Sequence, residues 1–231
     1  MKQIFLNRGT INVQKVPEPL LNDRSVLVRV CYSFISTGTE QATVAHAAQS
    51  LVGQYINNIS AHSHKIIGAI KDHGISGTLA LTQEKLNKFI SLGYSCAGQI
   101  VATGAKIEKF KVGDFVACAG ASFAHHAEVV CVPENLVVKV KNKENLKTAS
   151  LAAIGAVALQ GIRRAQLQLG ETVCIFGLGL IGQITAQLAK QAGATVIGLY
   201  LQDCRLLLAK NSGVDLVFNP QETNIVQEIA A

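Results

Sequence analysis

Three glycines raise the first chemical question. Gly177, Gly179 and Gly182 stand in G-x-G-x-x-G spacing within ETVCIFGLGLIGQITAQLAKQAGATVIGLY, residues 171–200. That spacing suits a pyrophosphate: the first glycine permits a tight turn, the second lets the backbone approach the phosphates, and the third lets the following helix pack on its strand. The stretch Gly177, Leu178, Gly179, Leu180, Ile181, Gly182 would then offer N–H groups and the positive end of a helix dipole to a dinucleotide. A glycine turn with no ligand is the plain alternative, and the strand–turn–helix–strand context favours the nucleotide. About 20 residues on, where an Asp or Glu takes the ribose hydroxyls of NAD, the chain has Tyr200. A 2′-phosphate is not repelled there. Arg205 can pair with that phosphate or stack on adenine, while Asp203 can stand in for the missing acid, so NADP is favoured and NAD stays open.

The elements that must position this loop follow from periodicity. Val173–Phe176 and Ala194–Leu199 are short apolar runs with the spacing of strands, and Ile181–Gln191 is an apolar-periodic helix. DCRLLLAKNSG reads as a helix closed by Gly213, VDLVFNP as a third strand and QETNIVQEIAA as the start of another helix. A doubly wound domain has two βαβαβ halves, and one βαβ unit takes roughly 30 residues. Only about one half fits before Ala231. Upstream, TASLAAIGAVALQGIRRAQL predicts one helix capped by Thr148 or Ser150. Before it come short β-rich runs with Gly-rich turns: KQIFLNRGTINVQKVPEP, SVLVRVCYSFIS, GYSCAGQIVATG, GDFVACAG, HAEVVCVPE and LVVKV. A polar insertion at about 41–89 interrupts them and includes a predicted helix over 79–90 with Thr82 as its cap. The boundary falls near residue 148, giving a β-rich domain over 1–147 and a partial nucleotide domain over 148–231.

Composition excludes several classes. The 231 residues are 49% hydrophobic and 16% charged, which suits a globular chain. Mean hydropathy is positive, yet no uncharged apolar run approaches the roughly 20 residues of a membrane span. No signal-peptide pattern opens the chain, so a cytoplasmic protein without a membrane partner is expected. The net charge of +6 comes from scattered lysines with acidic or amide residues between them, not from a basic arm with aromatics. That excludes a nucleic-acid partner. The six cysteines, at 31, 96, 118, 131, 174 and 204, form no C-x-x-C and read as buried reduced thiols. His62, His64 and His73 read as a solvated loop, since no Cys or acidic partner follows at ligand spacing.

Several stretches carry a resemblance. VLVRVCYSFISTGTE, GYSCAGQIVATGAKIEKFKVGDFVA and HAEVVCVPENLVVKV, together with the glycine motif, resemble the medium-chain dehydrogenase/reductase superfamily. The resemblance implies an α/β chain: a GroES-like β-barrel followed by the first half of a Rossmann doubly wound parallel sheet. STGTE, LGYSCAG, GDFVACAGASFAHHAEVVCVPENL and IGAVALQGIR look closest to the N-terminal module of bi-domain oxidoreductases. It also implies where zinc would sit in the metal-dependent members. Those positions fall here on Thr37, Tyr94 (with Ser95 after it) and Ile154, none of them a zinc ligand. The structural-zinc lobe would need four close cysteines, and only Cys118 and Cys131 occur there. No metal is expected. Thr39 falls at the proton-relay hydroxyl, Tyr94 could donate to a substrate oxygen, and Glu40 matches the acid after the relay Thr. Of His125 and His126, one is expected to fill a structural strand-entry position and the other to face the cleft.

The expected function is a zinc-independent, NAD(P)-dependent oxidoreductase acting on a small oxygenated, sugar-like substrate. Quinone or enoyl reduction is the second reading, and a non-catalytic nucleotide-binding module of a larger protein is the third. The resemblance further implies a chain cut within its Rossmann domain, inactive alone, with a fused C-terminal oxidoreductase domain and homo-oligomerisation open.

Overall fold

The computed structural model describes residues 1–7, 9–48, 89–222 and 224–230. His62, His64, His73, Thr82 and most of the 79–90 stretch lie outside them. The chain divides into two compact units, Met1–Leu151 and Ala152–Ala231.

The first unit is built of two antiparallel sheets. β1 (Lys2–Asn7) lies between β2 (Thr10–Lys15) and β4 (Ile90–Ser91). The larger sheet is formed by β3 (Ser25–Ser33), β5 (Ser95–Thr103), β6 (Phe115–Ala119), β7 (Val129–Pro133) and β8 (Val137–Lys139). Its order is β7-β3-β5-β6-β8. A single bridge, Gln3 to Ala127, joins the β1 strand to the segment ahead of β7. Side chains alternate along a strand, so Val26 and Val28 on β3, Ile100 on β5, Val116 on β6 and Val130 and Val132 on β7 meet in one core. This curled sheet is the GroES-like half of the expected architecture.

The structure differs from the sequence reading in three respects. Ile90 opens β4 where the helix over 79–90 was predicted. A helix that the residues did not suggest, α1 (Thr37–Ala48), follows β3 directly. Not all the cysteines are buried: Cys31 and Cys204 are exposed. Cys31 sits at a register shift between Val30 and Tyr32, and a bulge leaves its extra residue out of the inward alternation. Cys96 and Cys118 are buried and face each other across β5 and β6. The Cys96 thiol beside Cys118, together with burial, holds the Cys118 thiol well above its ordinary range.

The Ala-rich stretch is broken in two. α2 (Leu146–Ala149) ends at Ser150, and α3 (Ala152–Ala165) begins beyond it. Neither Thr148 nor Ser150 caps one continuous helix. The Ser150 hydroxyl donates backwards to the Lys147 carbonyl, and the Ser150 carbonyl accepts from the buried Ser95 hydroxyl. The second unit then runs β9 (Thr172–Phe176), α4 (Leu180–Gln191), β10 (Thr195–Leu199), α5 (Asp203–Asn211), β11 (Leu216–Phe218) and α6 (Ile225–Ala230). Its three strands are parallel in the order β11-β10-β9, the Rossmann arrangement. Ala186 and Ala189 of α4 and Leu206 and Ala209 of α5 pack with Ile175 and Val196. Among the described residues, no helix is long and apolar enough to cross a membrane.

Candidate functional site

In the second unit the strands end in register, Phe176 beside Leu199 and Leu199 beside Phe218. The glycine motif starts at that carboxyl edge. Gly177 has φ +98, a left-handed conformation that side chains rarely adopt, and its N–H donates to the Leu199 carbonyl at 2.9 Å. At Gly182 a Cβ would collide with the Gly177 carbonyl oxygen, so close packing requires glycine. Gly179 differs from both. Its φ of −69 is open to any residue, and an added Cβ would meet no protein atom within 4 Å. It is the N-cap of α4, and no side chain caps that end. The first-turn N–H groups of Leu180, Ile181 and Gly182 therefore lack the usual cap.

A cavity of about 300 Å³ opens beside the turn, lined by Phe176, Gly177, Leu199, Tyr200, Leu201, Pro220 and Ile225. No charged side chain lines it. Of the residues picked for the nucleotide, Tyr200 lines this cavity, whereas Arg205 and Asp203 sit exposed in the first turn of α5 outside it. The Leu178 side chain is fully buried and packs under Gly198, while Leu180 and Ile181 are partly exposed. At the opposite, amino edge of the sheet, Lys190 reaches both Asp215 oxygens at 2.8 Å, and the Val196 N–H donates to the same carboxylate. The Lys190 ammonium, aided by that N–H, holds the Asp215 carboxyl below its ordinary range.

In the first unit, Thr39 and Glu40 lie in the first turn of α1 and both bond Ser36. α1 starts where it does because Ser36 and Glu40 tie its first turn: the Ser36 N–H donates to Glu40 Oε1 at 3.0 Å, one residue later than a capping box would place the acid. The Ser36 hydroxyl donates to Thr39 Oγ1 at 3.2 Å. Glu40 also meets His126, with Nε2 at 3.2 and 3.3 Å from its two oxygens, and His126 Nδ1 lies 2.9 Å from Ser33 Oγ. A carboxylate only accepts, so Nε2 carries the proton. Both side chains are deeply buried, 5% exposed for His126 and 15% for Glu40. Gly93 is part of this fit, since a Cβ there would strike the His126 backbone and Nδ1. Thr39 is exposed, and Tyr94 is half-buried without a hydroxyl partner among the described residues. His126 is thus the structural member of the histidine pair. His125 is half-buried, with no partner for Nδ1 among the described residues, and burial lowers its pKa. The partnership of His126 with Glu40 was not evident from sequence, because 86 residues separate them.

The resemblance puts the catalytic-zinc positions at Thr37, Tyr94 and Ile154. Thr37 and Tyr94 offer no Cys, His or carboxylate donor, Ile154 offers none at all, and no group of three candidate ligands gathers among the described residues.

No family model matches the chain. By sequence it is 33% identical over 139 residues to the D-guloside 3-dehydrogenase of Escherichia coli (strain K12), an alignment covering 60% of this chain and 39% of that protein. It is 23% identical over 254 residues to the sorbitol dehydrogenase of Bacillus subtilis (strain 168), covering 98% of this chain and 63% of that one. Among solved structures, the quinone oxidoreductase of Escherichia coli complexed with NADPH superposes with a TM-score of 0.73 at 15% identity, over 99% of this chain and 61% of that one. Each match thus spans less than two thirds of the relative's own length. A protein described as zinc-type alcohol dehydrogenase-like is also among the relatives.

Proposed function

We propose that this chain, whose relatives by sequence and by fold are medium-chain dehydrogenases/reductases, carries the N-terminal part of a zinc-independent, NAD(P)-dependent oxidoreductase acting on a small oxygenated substrate of the sugar or polyol class. The observation that carries the reading is Gly179. Its backbone conformation and surroundings admit a side chain, so the fold alone does not call for glycine there. A phosphate approaching the backbone does. When bound, the nicotinamide cofactor supplies the hydride acceptor or donor.

The chain's own residues divide the remaining work. Backbone N–H groups from Gly179 to Gly182 hold the pyrophosphate, and the apolar cavity beside Gly177 takes the adenine end. Tyr200 at the end of β10 leaves room for a 2′-phosphate, with Arg205 as its counter-charge, which favours NADP. In the first unit, Thr39 passes the proton of the substrate hydroxyl, and Tyr94 donates to the substrate oxygen in place of a metal. Glu40 serves by holding Ser36 and the first turn of α1.

The sugar and polyol names among the relatives support the substrate class. The lack of zinc donors at Thr37, Tyr94 and Ile154 equally suits a quinone or enoyl reductase. Assays of the protein with NADPH and NADH against polyols, keto-sugars, quinones and enones separate the two. Oxidation of NADPH by quinones alone favours the second reading. Cofactor binding with no turnover of any of these would refute both in favour of a binding module.

A further inference from the structure

Gln183 directly follows the last glycine of the motif, on α4, and is only 5% exposed. Its Nε2 donates to two carbonyls, that of Leu178 at 3.2 Å and that of Arg205 at 2.9 Å. Its Oε1 is buried and has no partner among the described residues. Exchanging O and N would set an acceptor against two carbonyl oxygens, so the amide can face only this way. Burying an amide with one end unpaired is unfavourable. Met or Leu would fill this position without that disadvantage, and the donor pair is what they cannot supply.

The two carbonyls belong to different segments. Leu178 lies between the first two glycines, and Arg205 lies in the first turn of α5, just after β10. The cavity opens between the same two segments, with Gly177 on one side and Tyr200 and Leu201 on the other. We propose that Gln183 is a positioning residue for the dinucleotide: it ties the glycine turn to α5, so that the N–H groups of Gly179–Gly182 keep a fixed distance from the adenosine-side cavity. The inference rests on the nucleotide reading of the site. Gln183 touches no phosphate itself and acts through the backbone it braces.

The test uses the full chain and its Gln183→Met variant, which keeps length and volume and removes both donors. Binding of ADP and of adenosine is measured by NMR titration. ADP needs the loop N–H groups, whereas adenosine needs only the cavity. The expected result is a loss of about tenfold in ADP affinity, the size of one or two lost hydrogen bonds, with adenosine affinity unchanged. Equal loss of both ligands would reveal general disruption and overturn the proposal, as would no change in either. If wild-type protein binds neither ligand, the nucleotide reading fails separately, and amide exchange over Leu178–Gly182 decides on the brace. Exchange at least several-fold faster in the variant retains it, and equal exchange overturns it. Should the variant not fold, the Gln183 side-chain amide of the wild type is read directly: protection from exchange supports the two donor bonds, and free exchange refutes them.

Discussion

Replacing Gly179 by valine separates the demands of the fold from those of the ligand. The backbone there has φ −69 and ψ −168, which valine adopts, and the added Cβ meets no protein atom within 4 Å. Fewer unfolded conformations favour the variant by about 0.4–1 kcal/mol, and a branched N-cap costs a comparable fraction of 1 kcal/mol relative to glycine. The net change in stability should therefore stay within about 1 kcal/mol, or roughly 4–8 °C for a unit of this size. The nucleotide meets a different situation. Two charge-assisted hydrogen bonds to phosphate are worth about 1.5–3 kcal/mol each, so blocking the approach should weaken binding by about 3–6 kcal/mol, on the order of a hundredfold to ten-thousandfold in Kd. Calorimetric titration with NADPH and NADH reads the affinity, and differential scanning reads the melting temperature. Gly182→Ala is the control with the opposite signature. Its Cβ runs into the Gly177 carbonyl, so melting falls first, by about 1–3 kcal/mol of overpacking strain. Unchanged cofactor affinity in Gly179→Val would show that the turn serves the fold alone.

Three further outcomes are expected. Purified protein should contain far less than one zinc per chain and keep its melting temperature in strong chelators, because Thr37, Tyr94 and Ile154 replace the ligands; elemental analysis near one zinc per chain would refute this. His126→Ala should destabilise the first unit by roughly 1–3 kcal/mol in urea unfolding, since it strips a buried partner from Glu40, and an unaltered midpoint would mean that the pair contributes nothing. Because Lys190 holds the Asp215 carboxyl below the ordinary value of about 3.9, that carboxylate contributes stability above this pH and loses it as pH falls through its folded value. Lys190→Met should thus be less stable than wild type at pH 6, with the gap closing as pH falls through the folded value; a gap that persists once the carboxyl is protonated would contradict the linkage.

How much could be read from the residues depended on how local the cause was. The β9–α4–β10 succession carries its own signals in 30 consecutive residues, 171–200, and each element lies where periodicity and glycine spacing put it. α1 was hidden because its first turn is fixed partly by Glu40 reaching back to Ser36 and partly by His126 from far along the chain. The break at Ser150 was equally hidden. Ala and Leu favour a continuous helix, and only the tie from Ser95 to the Ser150 carbonyl shows that the chain is held there. The outward turn of Cys31 needed the register of β3 against β5, which hydrophobic alternation does not encode. At the site, the glycines announced themselves, whereas Gln183 and His126 act on partners that only the folded chain brings near.

The strand order of the first unit also governs when it can form. β3 is hydrogen-bonded to β5 on one side and β7 on the other, with Val26 opposite Thr103 and Val132, and the Lys2 N–H donates to Glu128, 126 residues away. The pairing with β5 waits for residue 103 and the pairing with β7 for residue 133 of a growing chain, and each closes a long loop before it gains a contact. In the second unit, β9, β10 and β11 pair in the order of synthesis with one helix between neighbours. The first unit should therefore be the slow phase in refolding, with Val26 and Val28 waiting unpaired on a strand rich in valine. Chaperone dependence and aggregation during expression should accordingly follow substitutions on β3, even though the proposed cofactor chemistry depends on the other unit.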